Sequence, residues 1–374
     1  MNPGRPRLPA LTGIRILAAL AVYASHVGAP HGAPQFVQTF FASGYNGVTL
    51  FFVLSGFVLA INYFEAFRRP SGGKLYNYAV ARFARIYPLY LLLLLYVVVR
   101  QQAFGESSDG WWYNALAIQA WSPNLATAYS FDPPSWSISV EFFLYACFPL
   151  LVPLLARLRR PRATLVAAAG VAAAMVALVA VFVLAGWGSL PWTNPGSAHR
   201  WLYRTPLTRL GDFVLGILAA QLYIQTRDDP RVGRWGAPLA IGAMLVGIGF
   251  MAWPELLFTA WSWDVAYALP AAVFIFGLAV APASLLARGL SLPFMVLLGE
   301  ASYAFYLVHA PAIGLFGGAQ WAVITSTSTV AFEAMMLGAI VALSVGLHVT
   351  FEGPARTYIK RLFAWRLRAR PAAT

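Results

Sequence analysis

Two ionisable residues lie within the first apolar stretch of the sequence, where a charged side chain needs a reason to be. Arg15 and His26 are eleven residues apart, which in an α-helix corresponds to an axial distance of roughly 16 Å. Eleven steps of about 100° return to within about 20° of the starting direction. The spacing therefore predicts that both side chains point to the same side of one helix, at different depths.

A carboxylate, Glu141, lies near the start of a later apolar stretch that begins with Trp136 and Ser137. Ser137 and Glu141 are four residues apart and share a helix face. If this helix enters from the side on which the first helix ends, Glu141 lies at about the depth of His26. Two costly groups at one depth favour a direct pair, although each could instead bond to backbone or water.

Two arginines, Arg82 and Arg85, open a third apolar stretch and lie three residues apart on one helix face. The simplest interpretation is that they anchor the end of the helix at the cytoplasmic surface. The alternative is that they join Arg15 in a cation cluster suited to phosphate, which guanidinium groups bind through charge-assisted hydrogen bonds.

A further polar stripe is formed by Ser302, Tyr306 and His309 in a late apolar stretch. It indicates either a network that ties helices together or part of a functional site. The five histidines are scattered and lack ligand spacing, so no metal site is predicted. The single cysteine, Cys147, excludes an intramolecular disulfide framework.

The elements that must position these residues are membrane-spanning helices. Hydrophobic residues make up 60% of the chain and charged residues 10%, whereas a soluble domain carries about 25% charged residues. Apolar runs of about 20 residues recur, the length that crosses about 30 Å of hydrocarbon. The sequence predicts an all-α, polytopic transmembrane helical bundle with about ten spans, near 11–28, 44–63, 83–101, 136–156, 163–186, 207–224, 236–253, 263–281, 293–315 and 329–350. The short apolar segment 111–121 is predicted to lie at a membrane surface.

The formal net charge of +13 is explained by topology and requires no nucleic acid. With the N-terminus inside, all but four of the 26 Lys and Arg residues fall on the cytoplasmic side, as the positive-inside rule requires. The exceptions are Arg100, Arg200, Arg204 and Arg209. We therefore expect a multi-pass protein of the cell (inner or plasma) membrane with both termini cytoplasmic. Residues 1–355 are predicted to form a single transmembrane domain and residues 356–374 a basic cytoplasmic tail.

Two long segments on the predicted outer side, 102–135 and 187–206, are rich in tryptophan. The residues are Trp111, Trp112, Trp121, Trp187, Trp192 and Trp201. The simplest interpretation is an interfacial aromatic belt. The alternative is a surface on which sugar rings stack.

Taken in this order, the motifs resemble acyltransferase family 3, the membrane-bound O-acyltransferases that include bacterial O-antigen and exopolysaccharide acetyltransferases. The family's Arg-x10-His pattern matches Arg15 and His26, and its Arg-x-x-Arg-Ile-x-Pro pattern matches residues 82–88. Its Trp-Ser-x-x-x-Glu pattern matches 136–141, and further matches lie at 47–57, 302–309 and 351–354. The resemblance covers almost the whole chain. Some relatives carry a soluble esterase-like domain at the C-terminus. No such domain is recognised in this sequence, so we expect the stand-alone form.

The resemblance implies transfer of an acyl group, usually acetyl, from cytosolic acyl-CoA to a hydroxyl of a carbohydrate or glycolipid of the cell envelope. Acyl-CoA would be a co-substrate, and no bound cofactor is implied. On this hypothesis His26 is the general base, Glu141 orients its ring, and Arg15, Arg82 and Arg85 bind the CoA phosphates. The supporting residues would be Trp136, Ser137, Ser302, Tyr303, Tyr306 and His309.

Two other hypotheses fit the same buried charges. A transporter of a lipid or glycan would use His, Glu and Arg as a proton relay, although the sequence has no evident inverted repeat. An inactive scaffold or sensor in an envelope complex is the third possibility. Turnover of acyl-CoA by the purified protein separates the three. For the enzyme, the topology predicts that donor and acceptor approach from opposite sides of the membrane.

Overall fold

The computed structural model describes residues 8–105, 107, 109–320 and 328–368, and this part of the chain is helical without a β-strand. The last residues of the predicted basic tail, 369–374, lie outside the described ranges. The α-helices are α1 (Pro9–Val27), α2 (Gln35–Ala42), α3 (Gly47–Phe67), α4 (Gly72–Ala103), α5 (Trp111–Ala115), α6 (Leu125–Ala128), α7 (Trp136–Leu155), α8 (Pro161–Leu184), α9 (Leu210–Thr226), α10 (Pro230–Met251), α11 (Val265–Val280), α12 (Leu285–Leu290), α13 (Pro293–Gln320), α14 (Ser328–Leu347) and α15 (Gly353–Arg368).

Eight helical segments within the described ranges are long and apolar enough to cross a membrane. The remaining two of the ten predicted spans correspond to α9 and α11, which are apolar but shorter. Every predicted span thus falls on a helix. The predicted all-α polytopic bundle is confirmed, and the chain is a multi-pass membrane protein.

The ends of the helices follow from local sequence. Pro9, Pro161 and Pro230 open α1, α8 and α10, a position at which the missing N–H of proline has no helical partner to lose. Gly28 ends α1 with a φ of 84°, a conformation that glycine adopts without steric cost. This turn places His26 in the last turn of α1, next to the connection to α2.

The centre of the bundle is α3, which packs against α1, α7, α9 and α11. Its contact with α9 is especially close, because Gly56 and Gly216 face the opposite helix. A Cβ at Gly56 would collide with the carbonyl oxygen of Phe213, and a Cβ at Gly216 with that of Val53. Small residues allow helix backbones to approach in this way where no hydrophobic force between helices is available.

The segment 111–121, predicted at the membrane surface, is partly buried against the rest of the bundle. Trp111 is exposed, but Asn114 and Gln119 are buried. The hydroxyl of Tyr90 in α4 donates a hydrogen bond to the Asn114 carbonyl oxygen at 2.7 Å, and Gln119 Nε2 donates to the Ser135 carbonyl oxygen at 2.9 Å. These polar contacts fold the segment against the start of α7, which a count of apolar residues does not anticipate.

Candidate active site

Two cavities lie along α1, one beside each of the ionisable residues of that helix. The arginine cavity is lined by Arg15, Ser55, Arg82, Arg85, Glu141 and Tyr145, together with apolar and hydroxyl side chains of α3, α7 and α13. The aromatic cavity is lined by His26, Trp136, Trp192, His199, Tyr203 and Trp263, among others. Val48 and Tyr306 line both cavities. The two cavities are therefore neighbours that share a wall.

Arg15, Arg82 and Arg85 meet in the arginine cavity, although they come from two helices. The guanidinium of Arg82 lies 5.4 Å from the ring centroid of Tyr63 and 5.6 Å from that of Tyr145, within the range of cation–π attraction. Arg15 interacts electrostatically with Glu141, and no hydrogen bond from its guanidinium to a described residue is found. Its donors are thus free to face a ligand.

Arg85 forms an ion pair with Glu352, which lies in the π-helical turn His348–Glu352 before α15. Glu352 is only 3% exposed, and its second carboxylate oxygen lies 3.1 Å from His348 Nδ1. A buried carboxylate needs such partners, because desolvation is costly. Arg85 therefore stabilises the fold as well as lining the arginine cavity. Sequence reasoning assigned no role to Glu352, although it lies in the matched stretch 351–354.

Glu141 is held in the arginine cavity, and the expected pair with His26 is wrong in this structure. Its carboxylate accepts hydrogen bonds from the Ser55 hydroxyl at 3.2 Å and from the Tyr145 hydroxyl. The physical reason is the course of α7. Trp136 lines the aromatic cavity, but from Ser137 onward the helix lines the arginine cavity. Tyr145 was missed, although its position four residues after Glu141 is a usable signal.

His26 is oriented by its own helix rather than by a carboxylate. Its Nδ1 lies 2.8 Å from the Val22 carbonyl oxygen. A carbonyl oxygen can only accept, so Nδ1 carries the hydrogen and Nε2 keeps the lone pair. The ring also contacts the buried imidazole of His309, with 5.0 Å between centroids. His26 thus presents one basic nitrogen at the aromatic cavity.

The wall between the cavities carries two hydroxyls. The hydroxyl oxygens of Ser137 and Tyr306 lie 2.8 Å apart, and each hydroxyl can donate to the Pro134 carbonyl oxygen, which lies 2.9 Å from both. Two other predicted supporting residues bond to the backbone. Ser302 donates to the Gly299 carbonyl oxygen and Tyr303 to that of Ile86, both at 2.8 Å. These four hydroxyls are thereby satisfied within the bundle.

The aromatic cavity contains a second histidine, His199, which sequence reasoning missed. Its ring stacks on Trp192 at 5.0 Å between centroids, and its Nε2 lies 3.2 Å from the Tyr129 hydroxyl. Burial, together with the positive charge of Arg204, lowers the pKa of His199 to about 3. His199 therefore stays neutral at ordinary pH and belongs to an uncharged aromatic wall.

Of the six tryptophans singled out in the outer segments, Trp192 lines the aromatic cavity. Trp111, Trp112, Trp121 and Trp187 are exposed side chains. Trp201 lies under the guanidinium of Arg200, 4.6 Å from it. Within the described ranges no group of three His, Cys, Asp or Glu side chains is placed to hold a metal ion.

The chain is similar in sequence to several known proteins. The acyltransferase domain of acyltransferase family 3 matches residues 8–349. The acyltransferase MdmB of Streptomyces mycarofaciens is 33% identical over 100% of this chain and 96% of its own length. The O-acetyltransferase OatA of Staphylococcus aureus is 23% identical over 82% of this chain, which spans only 50% of that relative. No solved structure matches the chain.

The family match over nearly the whole chain agrees with a bundle that brings a cationic cavity and a histidine-bearing cavity together. It supports the acyltransferase hypothesis over the transporter and the inactive scaffold. The chain belongs to acyltransferase family 3 and is a membrane O-acyltransferase.

Proposed function

We propose that the enzyme transfers an acyl group, in the first instance acetyl, from acyl-CoA to a hydroxyl of a carbohydrate or glycolipid, with His26 as general base. The observation that carries the proposal is the shared wall between the two cavities. A donor held among the arginines and an acceptor held beside His26 would meet at this wall, near Tyr306.

The arginine cavity is suited to the phosphates of CoA. Arg15 has free donors there, and Arg82 is kept in place by tyrosine rings without a carboxylate partner. Guanidinium groups bind phosphate oxygens through strong, charge-assisted hydrogen bonds. Glu141 lies among these arginines and is assigned to the donor side, where it balances the charge of Arg15. The pantetheine arm then runs toward the wall that Tyr306 shares with the aromatic cavity.

The aromatic cavity is suited to a neutral acceptor. Trp192, Trp263 and Tyr203 offer flat apolar faces, on which the C–H faces of a sugar ring pack well. No Asp or Glu lines this cavity in the described part of the chain. A hydroxyl held against these rings would lie near the free Nε2 of His26.

The reaction then needs one proton transfer in each direction. The acceptor hydroxyl attacks the thioester carbonyl while His26 Nε2 takes the hydroxyl proton. The tetrahedral intermediate collapses, the C–S bond breaks, and the proton returns from His26 to the CoA thiolate. The products are an ester and free CoA. The hydroxyls of Ser137 and Tyr306 line the donor side of the shared wall, 2.8 Å from each other.

The topology completes the proposal. With both termini cytoplasmic, the arginine cavity faces the cytosol and the aromatic cavity faces the outside of the cell membrane. CoA then never leaves the cytosolic side, and only the acyl group passes the shared wall.

The test uses purified protein in lipid nanodiscs with acetyl-CoA as donor. Methyl β-glucoside serves as a soluble sugar acceptor and octyl β-glucoside as a glycolipid. Release of CoA is followed with a thiol reagent, and the acetylated product by mass spectrometry. We expect release that depends on acceptor and is lost in His26→Ala. Absence of acetyl transfer to any hydroxyl acceptor, with intact folded protein, would refute the proposal.

A second arm tests the sidedness. Sealed proteoliposomes of known orientation receive acetyl-CoA on one face and methyl β-glucoside, which does not partition into the bilayer, on the other. Transfer is expected only when acetyl-CoA is on the face that carries the termini. Equal transfer with both substrates confined to that face would refute the arrangement of the cavities but leave His26 as the base.

A further inference from the structure

The helix that follows the last span, α15, brings two more cations to the arginine cavity. Arg356 and Lys360 are four residues apart and share a face of α15. The charge of Arg356 acts on both Arg15 and Arg85, and Lys360 interacts with Arg356, Arg82 and Arg85. These interactions follow from packing, since α15 lies along α4, which carries Arg82 and Arg85.

Neither of these cations has a counter-ion among the described residues. Glu352 precedes Arg356 by four residues, a spacing that normally gives an ion pair on a helix. Here the carboxylate of Glu352 is turned to Arg85 and His348 instead. Arg356 is half-buried and Lys360 exposed, and no hydrogen bond or ion pair of either side chain is found. The carboxylate that could pair with Arg356 is therefore engaged by Arg85 and His348.

The balance of charge around the cavity is strongly positive. Five cations stand there, Arg15, Arg82, Arg85, Arg356 and Lys360. The carboxylates among them are Glu141 and Glu352. Five cations against two anions leave an excess of three, and the exposed Glu300 near His348 would reduce it only to two. Repulsion between neighbouring like charges makes such a site costly until an anion of several charges binds.

We propose that Arg356 and Lys360 form a second phosphate subsite at the mouth of the arginine cavity, beyond the site formed by Arg15, Arg82 and Arg85. The inference rests on the proposed function, because it takes CoA as the donor. CoA carries a diphosphate and a separate 3′-phosphate on its adenosine, so one molecule offers phosphates to both subsites. The subsite on α15 takes the phosphates farthest from the thioester. A phosphate ester of an anionic lipid has the same chemistry and is separated by the experiment.

The experiment measures binding, so that it does not depend on turnover. Calorimetry in nanodiscs of phosphatidylcholine compares CoA, 3′-dephospho-CoA and pantetheine as ligands of wild type, Arg356→Gln, Lys360→Gln and the double variant. Arg361→Gln is the matched control, because Arg361 is an exposed cation on the same helix. We expect the Kd of CoA to rise about tenfold for each side chain removed, as for the loss of a charge-assisted hydrogen bond. The Kd of pantetheine, which lacks the distal phosphates, should stay the same in every variant.

Several outcomes would overturn the subsite. One is an unchanged Kd of CoA in the double variant, and another is an equal loss in Arg361→Gln. A third is CoA binding to wild type no tighter than pantetheine. Melting temperatures show whether the two side chains have a structural role. Removal of an unpaired cation should leave the melting temperature unchanged or raise it. A lower melting temperature in both single variants would mean that the two side chains support the fold.

A lipid arm separates the two sources of phosphate. If CoA binds wild type and the double variant equally in phosphatidylcholine, and phosphatidylglycerol in the nanodisc raises the melting temperature of wild type but not of the double variant, the subsite belongs to lipid and the proposal fails. The failure of the proposed function has a different signature. CoA would bind through Arg356 and Lys360 as expected, while acetyl-CoA would yield no acetylated acceptor.

Discussion

The imidazole rings of His26 and His309 lie edge to face, with 5.0 Å between their centroids. His309 is fully buried on α13, and its Nε2 has no hydrogen-bond partner in the described part of the chain. The Val22 carbonyl oxygen fixes one nitrogen of His26, and His309 restricts the plane of the ring. A base that must face one hydroxyl gains from both restraints, since misaligned groups transfer protons poorly.

Replacing His26 with alanine is expected to lower kcat for acyl transfer about 10²–10⁴-fold, the usual contribution of a general base. His31→Ala is the control, because His31 is an exposed histidine beyond the end of α1. Steady-state assays of CoA release with each purified variant make the comparison. Turnover of His26→Ala within a few-fold of wild type, with equal melting temperatures, would remove His26 from the mechanism.

Glu141→Gln is expected to weaken donor use without altering the pH profile of kcat. Glu141 bonds to Ser55 and Tyr145 and interacts with Arg15, in a different cavity from His26. Loss of its charge should therefore disturb the donor site and raise KM for acetyl-CoA. Profiles of kcat against pH in wild type and variant are the measurement. A displaced profile in Glu141→Gln would show that Glu141 acts on His26 after all.

The Arg85–Glu352 pair allows stability and donor binding to be separated. Arg85→Ala leaves a nearly buried carboxylate with only His348 beside it, which should cost about 3–5 kcal/mol in the free energy of unfolding. The double variant Arg85→Met/Glu352→Leu should recover much of that stability, because no unpaired charge remains. Thermal melts and calorimetry with CoA report the two properties. CoA affinity that returns together with stability would make Arg85 purely structural.

His199 should make the protein less stable in mild acid. Its pKa is lowered from 6.5 to about 3 in the folded protein, so between those values the unfolded chain binds the extra proton. The free energy of unfolding is therefore unaffected by His199 above pH 6.5. It decreases as the pH falls below that value, by about 2 kcal/mol at pH 5. Melting temperatures at pH 5 and pH 7.5 should differ less in His199→Phe than in wild type. An identical difference in both proteins would contradict the assignment.

Tyr306→Ala is expected to let water reach the thioester. Tyr306 lines both cavities, and its ring lies 5.8 Å from that of Phe51, centroid to centroid. Removing the ring opens the shared wall, so hydrolysis of acetyl-CoA without acceptor should increase, because the site no longer excludes water. Tyr306→Phe keeps the ring and is the control. Equal hydrolysis in Tyr306→Ala and Tyr306→Phe would mean that the ring does not separate donor from solvent.

The spans and the meeting of Arg15, Arg82 and Arg85 could be predicted from sequence. An apolar run of about 20 residues has few alternatives to a membrane helix, and the spacing of polar residues within a helix sets the face they share. The position of a residue along the membrane normal is harder to predict from the sequence. It depends on the tilt of the helix and on the residue at which the helix starts, which is why Glu141 was placed beside His26.

Two of the residues that sequence reasoning missed lie outside regular spans. His199 and Glu352 belong to π-helical turns, His199–Arg204 and His348–Glu352. Such turns depend on packing with distant segments and have no simple sequence period. His199 meets Tyr129, 70 positions away, and Glu352 meets Arg85 on α4. Contacts of this range follow from the assembled bundle rather than from any local pattern.

The shared wall of Val48 and Tyr306 also bears on the electrical state of the membrane. A water-filled passage through a bundle would conduct protons and dissipate the gradient that the cell maintains. In this fold the side chains of Val48 and Tyr306 stand between the two cavities, and the Ser137 and Tyr306 hydroxyls donate to the Pro134 carbonyl oxygen within the bundle. A wall closed by these side chains would keep the bilayer insulating while the enzyme is at rest. An uncharged acyl group can be handed across such a barrier, whereas an ion meets the full cost of leaving water.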